Sequence, residues 1–138
     1  NEETPPLASC SVPANLKKGL ALLLPNHQKN TYRVMLINDK NYTKGAVTFI
    51  NLTKVAIGVN VNGKAKLTVK PKSQSLLNPK ENKVVRMAVK MAYQTTDKKW
   101  KVFFSSNWAI VPARKEMIIL YYDRSSKRIR FSSITQNT

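Results

Sequence analysis

From Thr31 onward the sequence alternates between apolar and polar positions in short runs. The runs are rich in β-branched and aromatic residues, which favour strands, and Gly, Pro, Asn or Asp separate them. Strands are predicted over residues 32–37, 46–52, 55–61, 65–69, 84–93, 100–104, 108–111, 117–122 and 129–134. About nine or ten short strands with turns every 8–12 residues or so predict an all-β fold, namely an antiparallel two-sheet sandwich.

The N-terminal part of the chain reads differently. Residues 1–13 are polar, Pro-rich and aperiodic, and we interpret them as an irregular lead-in to a single β-sandwich domain over 14–138. The apolar run 19–24 is bounded by Gly19 and Pro25, which is typical of a buried strand. A short helix near 14–24 is the alternative, although Gly19 would lie in its interior at a cost of about 1 kcal/mol relative to Ala.

One hairpin can be predicted in detail, around Asn62-Gly63. A two-residue loop would set the apolar rows of the two strands on opposite faces, so burial favours an odd loop. The three-residue loop 61–63 would place Gly63 in a left-handed bulge conformation. It pairs Val59 with Ala65, Ile57 with Leu67, and Val55 with Val69.

The same alternation places cations on the outward side of at least three strands. The chain carries 24 Lys and Arg against 7 Asp and Glu, a net charge of +17, of which residues 41–138 hold +15. Five or more like charges never follow each other, so a basic tail is not indicated. The candidate anion-binding residues are Lys64, Lys66, Lys70, Arg86, Lys90, Arg128 and Arg130.

The inventory of reactive residues is poor. One Cys and one His exclude an internal disulfide and a multi-histidine metal centre. Cys10 and His27 could form a nucleophile–base pair in principle, but Cys10 lies in the lead-in, which offers no fixed surroundings to activate a nucleophile. Five carboxylates fall within the predicted domain, mostly in turn contexts: Asp39, Glu81, Asp97, Glu116 and Asp123. We therefore expect no catalytic, cofactor or metal site.

Four aromatic residues have two possible interpretations. All four could form a stacking platform beside cations, but we interpret Trp100 and Trp108 as core anchors. Tyr121 and Tyr122 are adjacent in a predicted strand, so one faces outward near Arg124 and is the candidate exposed aromatic contact. Two triplets, 41–43 and 51–53, fit the N-glycosylation pattern, and Asn51 is a poor acceptor because it lies inside a predicted strand.

Several segments resemble small exported bacterial β-sandwich proteins with immunoglobulin-like folds. They are the strand 47–53, the hairpin over 55–69 with its Pro71 turn, and the stretch from Trp108 to Pro112 followed by Arg114. The resemblance covers about residues 20–134. It implies an exported location (periplasm, cell envelope or medium) with a signal peptide already removed, and it brings no active site.

These observations favour a non-enzymatic exported β-sandwich that contacts an anionic polymer, a membrane surface or an acidic protein through a basic sheet face. The alternative binding function is a nucleic-acid-binding β-barrel of the OB type, which the strand count disfavours because that barrel needs only five strands. A third interpretation is that the charge serves solubility alone. Oligomeric state is not predicted, and the longest apolar run, 20–24, is too short to span a membrane.

Overall fold

The structure, a computed structural model, describes residues 8–17, 19–26, 31–38 and 44–137. The chain divides into two compact units, Asn1–Asn41 and Tyr42–Thr138. Residues 8–13 form neither helix nor strand, and the boundary between lead-in and domain at residue 13 stays a prediction. The described residues include no helix that is long and apolar enough to cross a lipid bilayer.

The first unit contains an antiparallel hairpin of β1 (Gly19–Asn26) and β2 (Thr31–Asn38). The open question of helix or strand over 19–24 is therefore settled as strand. A helix would have placed Gly19 in its interior, whereas here Gly19 pairs with Asn38 at the end of the hairpin. The residues between the two strands, which include His27, lie outside the described part of the chain.

The second unit packs two four-stranded sheets into a sandwich, as the alternating pattern predicts. The first sheet has the order β10-β9-β3-β6 and the second sheet β5-β4-β7-β8. The strands are β3 (Val47–Asn51), β4 (Ile57–Val61), β5 (Ala65–Val69), β6 (Gln74–Leu77), β7 (Val85–Gln94), β8 (Trp100–Ile110), β9 (Arg114–Asp123) and β10 (Arg128–Asn137). Among the described strands neither sheet closes into a barrel, and the all-β sandwich is confirmed.

Three details of the strand pattern differ from the prediction. The segments 100–104 and 108–111 belong to one long strand, β8, because Ser105, Ser106 and Asn107 are tolerated on an exposed edge. Strand β6 was not predicted, since it is short, polar at two of four positions, and an edge strand of the first sheet. The first sheet is mixed rather than purely antiparallel, because β3 runs parallel to β9.

The hairpin of β4 and β5 keeps the predicted faces but not the predicted register. Val61 lies opposite Ala65, so the loop is Asn62-Gly63-Lys64 and every predicted pair is wrong by two residues. Both Asn62 and Gly63 have positive φ (53° and 69°), and Lys64 N–H donates to Val61 O at 3.1 Å. The loop is odd-numbered in either register, which is why the apolar rows still share one face. The observed apolar pairs are Val61 with Ala65, Val59 with Leu67, and Ile57 with Val69.

The core lies between the two sheets and includes an aromatic group. Trp108 stacks on Phe49 at a centroid distance of 6.2 Å and meets Phe131 at 5.9 Å, and Phe104 contacts both Trp108 and Phe131. The prediction that Trp108 is a core anchor is confirmed. Buried aliphatic and Met side chains from both sheets complete the core: Val47, Ile57, Val59, Val61, Val69, Met87, Val89, Met91, Ile110, Ile118 and Leu120.

One buried polar side chain connects the two sheets. Asn51, at the end of β3 in the first sheet, is 0% exposed. Its Nδ2 donates to Val69 O of β5 at 3.0 Å and to Val55 O at 2.7 Å, while its Oδ1 accepts from Thr53 N–H at 2.9 Å and from the Thr53 hydroxyl at 2.7 Å. The amide is therefore fully hydrogen-bonded. A side chain enclosed in this way is unavailable for glycosylation in the folded protein, and Asn41 lies outside the described residues.

Candidate anion-binding face

The outer side of the second sheet carries cations without compensating carboxylates. The four strands of this sheet contain no Asp or Glu. Lys66 of β5 and Arg86 and Lys90 of β7 are exposed, because they alternate with the buried residues of the same strands. Among the described residues, no salt bridge engages these three side chains. We call this surface, with Lys64 and Lys70 at the two ends of β5, the basic face.

The strand register fixes the spacing of the cations. Asn60 of β4 pairs with Lys66 on one side and with Lys90 on the other. Because neighbouring strands lie ~4.8 Å apart, the Cα atoms of Lys66 and Lys90 are about 10 Å apart. Arg86 lies four residues before Lys90, which corresponds to about 13 Å along β7. The cations therefore outline a patch that spans three strands.

Small side chains occupy the surface between these cations. Gly58 pairs with Ala92, Ala88 pairs with Asn107, and Ala109 lies opposite Arg86. Ser105 lies opposite Lys90 and adds a hydroxyl. A surface of this kind lets an extended ligand approach the sheet closely while the longer Lys and Arg side chains reach around it.

Trp100 supplies an aromatic surface on the same face. A Cβ atom placed on Gly58 would lie 3.2 Å from Cζ3 of Trp100, so the indole ring lies over Gly58. Trp100 is 49% exposed, which leaves part of its ring open to solvent. The prediction that Trp100 belongs to the core is therefore wrong. Its position at the start of an edge strand, opposite Gln94, explains why it lies outside.

The turn before Trp100 is held by its own side chains. The Thr95 hydroxyl donates to Asp97, and Lys99 N–H donates back to Thr95 Oγ1 at 3.1 Å. Hydrogen bonding from Thr95 lowers the pKa of the Asp97 carboxyl below its ordinary value. Asp97 thus has a structural role in the turn that begins β8, and the same turn fixes where Trp100 enters the strand.

The remaining candidate cations lie elsewhere. Arg128 and Arg130 belong to β10 in the first sheet, so the seven candidates do not share one sheet. Both arginines are exposed. Ile129 and Phe131, which alternate with them along β10, pack against the core. Arg130 also forms an ion pair with Asp123 at 3.4 Å, which offsets part of its charge.

The two candidate tyrosines are also on the first sheet, in β9. Tyr122 is 54% exposed, and Tyr121 is half-buried and pairs with Arg130. Asp123, next to them, accepts hydrogen bonds from Ser126 and Ser125, and the first of these lowers its carboxyl pKa most. Tyr122 is thus the more accessible ring, but it does not lie on the basic face.

Of the residues considered for catalysis, His27 and Asp39 lie outside the described part of the chain, and the others are located as follows. Cys10 is exposed. Asp97 and Asp123 cap turns, whereas Glu81 is exposed in a loop. Glu116 is half-buried in β9, and its surroundings are described below. In the described ranges, no three His, Cys, Asp or Glu residues come together in a group that could hold a metal ion.

Comparison of the chain with protein-family models, with curated proteins and with solved structures finds no match. The basic face must therefore be interpreted from its own geometry.

Replacing Gly58 with Val is expected to displace the Trp100 ring while the sandwich stays folded. The new Cβ would meet the indole at 3.2 Å, and the exposed ring can move outward. Strand propensity differences span only about 1 kcal/mol, so the free energy of unfolding should change by no more than that. The measurement is the chemical shift of the Trp100 indole N–H in a ¹H–¹⁵N spectrum.

Gly63→Ala is the matched control for this substitution. Gly63 has a φ of +69°, and no atom lies within 4 Å of the point that a Cβ would occupy there, so this change strains the turn without approaching Trp100. It should destabilise the protein by about 1 kcal/mol and leave the Trp100 signal in place. An unchanged Trp100 signal in Gly58→Val would contradict the packing described above.

Proposed function

We propose that this chain is a non-enzymatic binding module whose basic face holds a linear anionic polymer, with an acidic polysaccharide as the ligand class. The observation that supports this most is the combination of a carboxylate-free cationic sheet face with an exposed indole. Lys66, Arg86 and Lys90 would contact anionic groups of the polymer, and Trp100 would stack on a ring of its backbone.

Three features favour a polymer over a compact anion. The cations are spread over several strands, with the Cα atoms of Lys66 and Lys90 about 10 Å apart, so they can contact successive charges along a chain. The surface between them carries Asn60 beside small Gly, Ala and Ser residues. The indole ring lies over Gly58 with part of its surface exposed, so that a sugar ring could stack on it. An extended chain of linked rings with regularly spaced charges fits this arrangement.

The placement of lysines in turns also supports a functional role for charge. Left-handed backbone conformations favour Gly, or Asn and Asp among other residues. In the described residues, four of the five non-Gly positions with positive φ are occupied by Lys. These are Lys72, Lys80, Lys98 and Lys127. Cationic side chains are thus present at positions where the backbone alone would favour another residue.

Single-stranded nucleic acid is the second candidate ligand. An aromatic side chain beside cations is also the arrangement on which unpaired bases stack. Trp100 is the observation that favours it, although the OB-type barrel that accompanied this alternative is absent from the described sheets. The two ligand classes differ in what would stack on Trp100, a saccharide ring or a base.

An exported location goes with this proposal, as the resemblance to exported β-sandwich proteins implies. In the envelope or outside the cell the module would meet acidic polysaccharides and anionic lipid surfaces rather than the bulk of cellular nucleic acid. The location is testable separately from binding, by fractionating cells that produce the full-length precursor.

Titration of the protein with polygalacturonate by isothermal calorimetry tests the proposal. Binding is expected at ~50 mM salt. The logarithm of the association constant should fall linearly with the logarithm of the salt concentration, as it does for other cationic sites that bind linear polyanions. Neutral dextran is the control and should not bind. Oligo(dT) and phosphatidylglycerol vesicles are measured in parallel under the same conditions.

Each result decides between the interpretations. Tighter binding of oligo(dT) than of polygalacturonate at equal charge would indicate that the ligand is a nucleic acid. Binding of the vesicles alone would indicate a membrane surface. If none of the three anionic probes binds at ~50 mM salt, the charge of the protein serves solubility alone.

A further inference from the structure

A cavity of about 260 Å³ lies between the two sheets, on the side where β8 and β10 are the edge strands. It adjoins the basic face at the edge strand β8, because Asn107 and Ala109 of its lining also border that face. The residues that line it are Asn107, Trp108 and Ala109 of β8, Glu116 and Ile118 of β9, and Phe131, Ser133 and Thr135 of β10.

Glu116 is the charged residue of this lining, and the strand pattern directs it inward. It alternates with Ile118 and Leu120, which belong to the core, and it pairs with Thr135 of β10. A carboxylate in a series of core-facing residues is costly to bury unless something compensates its charge. Burial accordingly raises the pKa of Glu116 above its ordinary value, and the nearby Arg114 opposes this effect.

Two aromatic rings form walls of the cavity. Trp108 and Phe131 meet at a centroid distance of 5.9 Å with an angle of 61° between their planes. Trp108 is held from behind by Phe49, on which it stacks at 15°. The walls are therefore fixed by core packing before any ligand arrives. Asn107, Ser133 and Thr135 add hydrogen-bonding groups.

We propose that this cavity binds a small organic ammonium ion, with Glu116 as its counter-ion and Trp108 and Phe131 as its aromatic walls. A half-buried carboxylate that lines the same cavity as two aromatic rings is the combination that recognises such cations, because the ring faces carry negative electrostatic potential. The proposal is independent of the binding of anionic polymers by the basic face.

The chemistry of the lining argues against other small ligands. An anion would be repelled by the Glu116 carboxylate, and a purely apolar ligand would make no use of its charge. The high net charge of the protein does repel cations, but at ~0.15 M salt charges farther than about 8 Å are largely screened. Of the two nearby charges, the Glu116 carboxylate lines the cavity and Arg114 does not, so the lining favours a cation.

Titration with phenethylammonium, followed by ¹H–¹⁵N spectra of the full chain, tests this inference. The Trp108 indole N–H signal is expected to shift with saturation at concentrations up to ~10 mM, whereas the Trp100 signal stays in place. The neutral analogue 2-phenylethanol should bind about 10-fold more weakly or not at all, since it lacks the charge that pairs with Glu116.

Glu116→Gln is expected to lower the affinity for phenethylammonium about 10-fold or more, because the amide keeps the shape but removes the charge. Glu81→Gln is the matched control, because Glu81 is exposed in a loop and its substitution changes the net charge by the same amount. Equal affinity of Glu116→Gln and Glu81→Gln would overturn the proposal, and so would equal binding of the alcohol and the ammonium ion.

A pH series on the wild-type protein provides a test that needs no variant. Phenethylammonium stays cationic across the acidic range, so only the carboxyl changes its charge. The groups that face it are Arg114 on its own strand, the uncharged Thr135 and Ser133 on β10, Asn107 on β8, and Val47, its pairing partner on β3. Since the pKa of Glu116 is raised, affinity should be full well above that pKa and should fall as the pH drops through it. Affinity that is constant from neutral to acidic pH would contradict the role of Glu116.

Discussion

Asn51→Ala is expected to lower the free energy of unfolding by about 3–5 kcal/mol, a large part of the 5–15 kcal/mol typical of a domain. The substitution removes four hydrogen bonds at a site that is 0% exposed. Val69 O and Thr53 N–H lose their bond to the Asn51 side chain, and each buried group left unpaired costs about 1–3 kcal/mol. Urea denaturation followed by circular dichroism measures the loss.

Asn51→Asp separates hydrogen bonding from packing. The carboxylate keeps the volume and can still accept from Thr53, but it presents an oxygen to the carbonyls of Val55 and Val69, to which the amide donates. We expect a loss at least as large as that of Asn51→Ala. Asn60→Ala is the control in a neighbouring strand, because Asn60 lies on the outer side of β4 between Lys66 and Lys90. A loss below ~1 kcal/mol in Asn51→Ala would mean that the amide does not connect the sheets.

The double substitution Lys66→Glu with Lys90→Glu is expected to lower the affinity for polygalacturonate about 100-fold at ~50 mM salt. It removes two cations from the centre of the basic face and introduces repulsion in a surface where the four strands contain no carboxylate. The slope of log K against log salt should also become shallower, since fewer counterions are released on binding. Calorimetric titration at several salt concentrations measures both changes.

Arg124→Glu with Lys127→Glu provides the matched control for this reversal. These residues are exposed in the turn between β9 and β10 of the first sheet, and the change in net charge is identical. We expect the control to lose only a few-fold in affinity through the overall charge. Equal losses in the two double variants would show that the polymer responds to net charge and that the basic face is not a binding site.

The alternation of apolar and polar residues predicted much of the fold because it is a local property of a strand. The inward direction of Met87, Val89 and Met91 and the exposure of Arg86 and Lys90 are both present in the structure. Turn chemistry was equally informative at Gly63, which has the left-handed conformation predicted for it. Local patterns thus identified most of the strands and the faces of their residues.

The pairing register of β4 and β5 could not be predicted from local patterns. A shift of two residues keeps every side chain on its face, so burial alone could not distinguish Val61 opposite Ala65 from Val59 opposite Ala65. In the observed register, Asn62 forms two hydrogen bonds with Ala88 of β7, each 2.8 Å long. Those contacts join residues 26 positions apart, which no local pattern contains.

The candidate sites depended on long-range pairing even more strongly. Trp100 is an apolar residue in a β-rich segment, and only its position on edge strand β8, with its ring over Gly58, makes it a surface residue. Glu116 is one carboxylate among several in the sequence, and the approach of β8 and β10 makes it part of a cavity.

Composition and two-residue periodicity were sufficient to predict an all-β sandwich with its cations directed outward, since both act within single strands. Which cations share a surface, in contrast, depends on how the strands assemble. Arg128 and Arg130 look equivalent to Lys66 and Lys90 along the chain, yet they belong to the other sheet, and Arg130 is paired with Asp123. The difference arises because a strand's faces are set by its own residues, whereas its neighbours are set by hydrogen bonding between segments far apart in sequence.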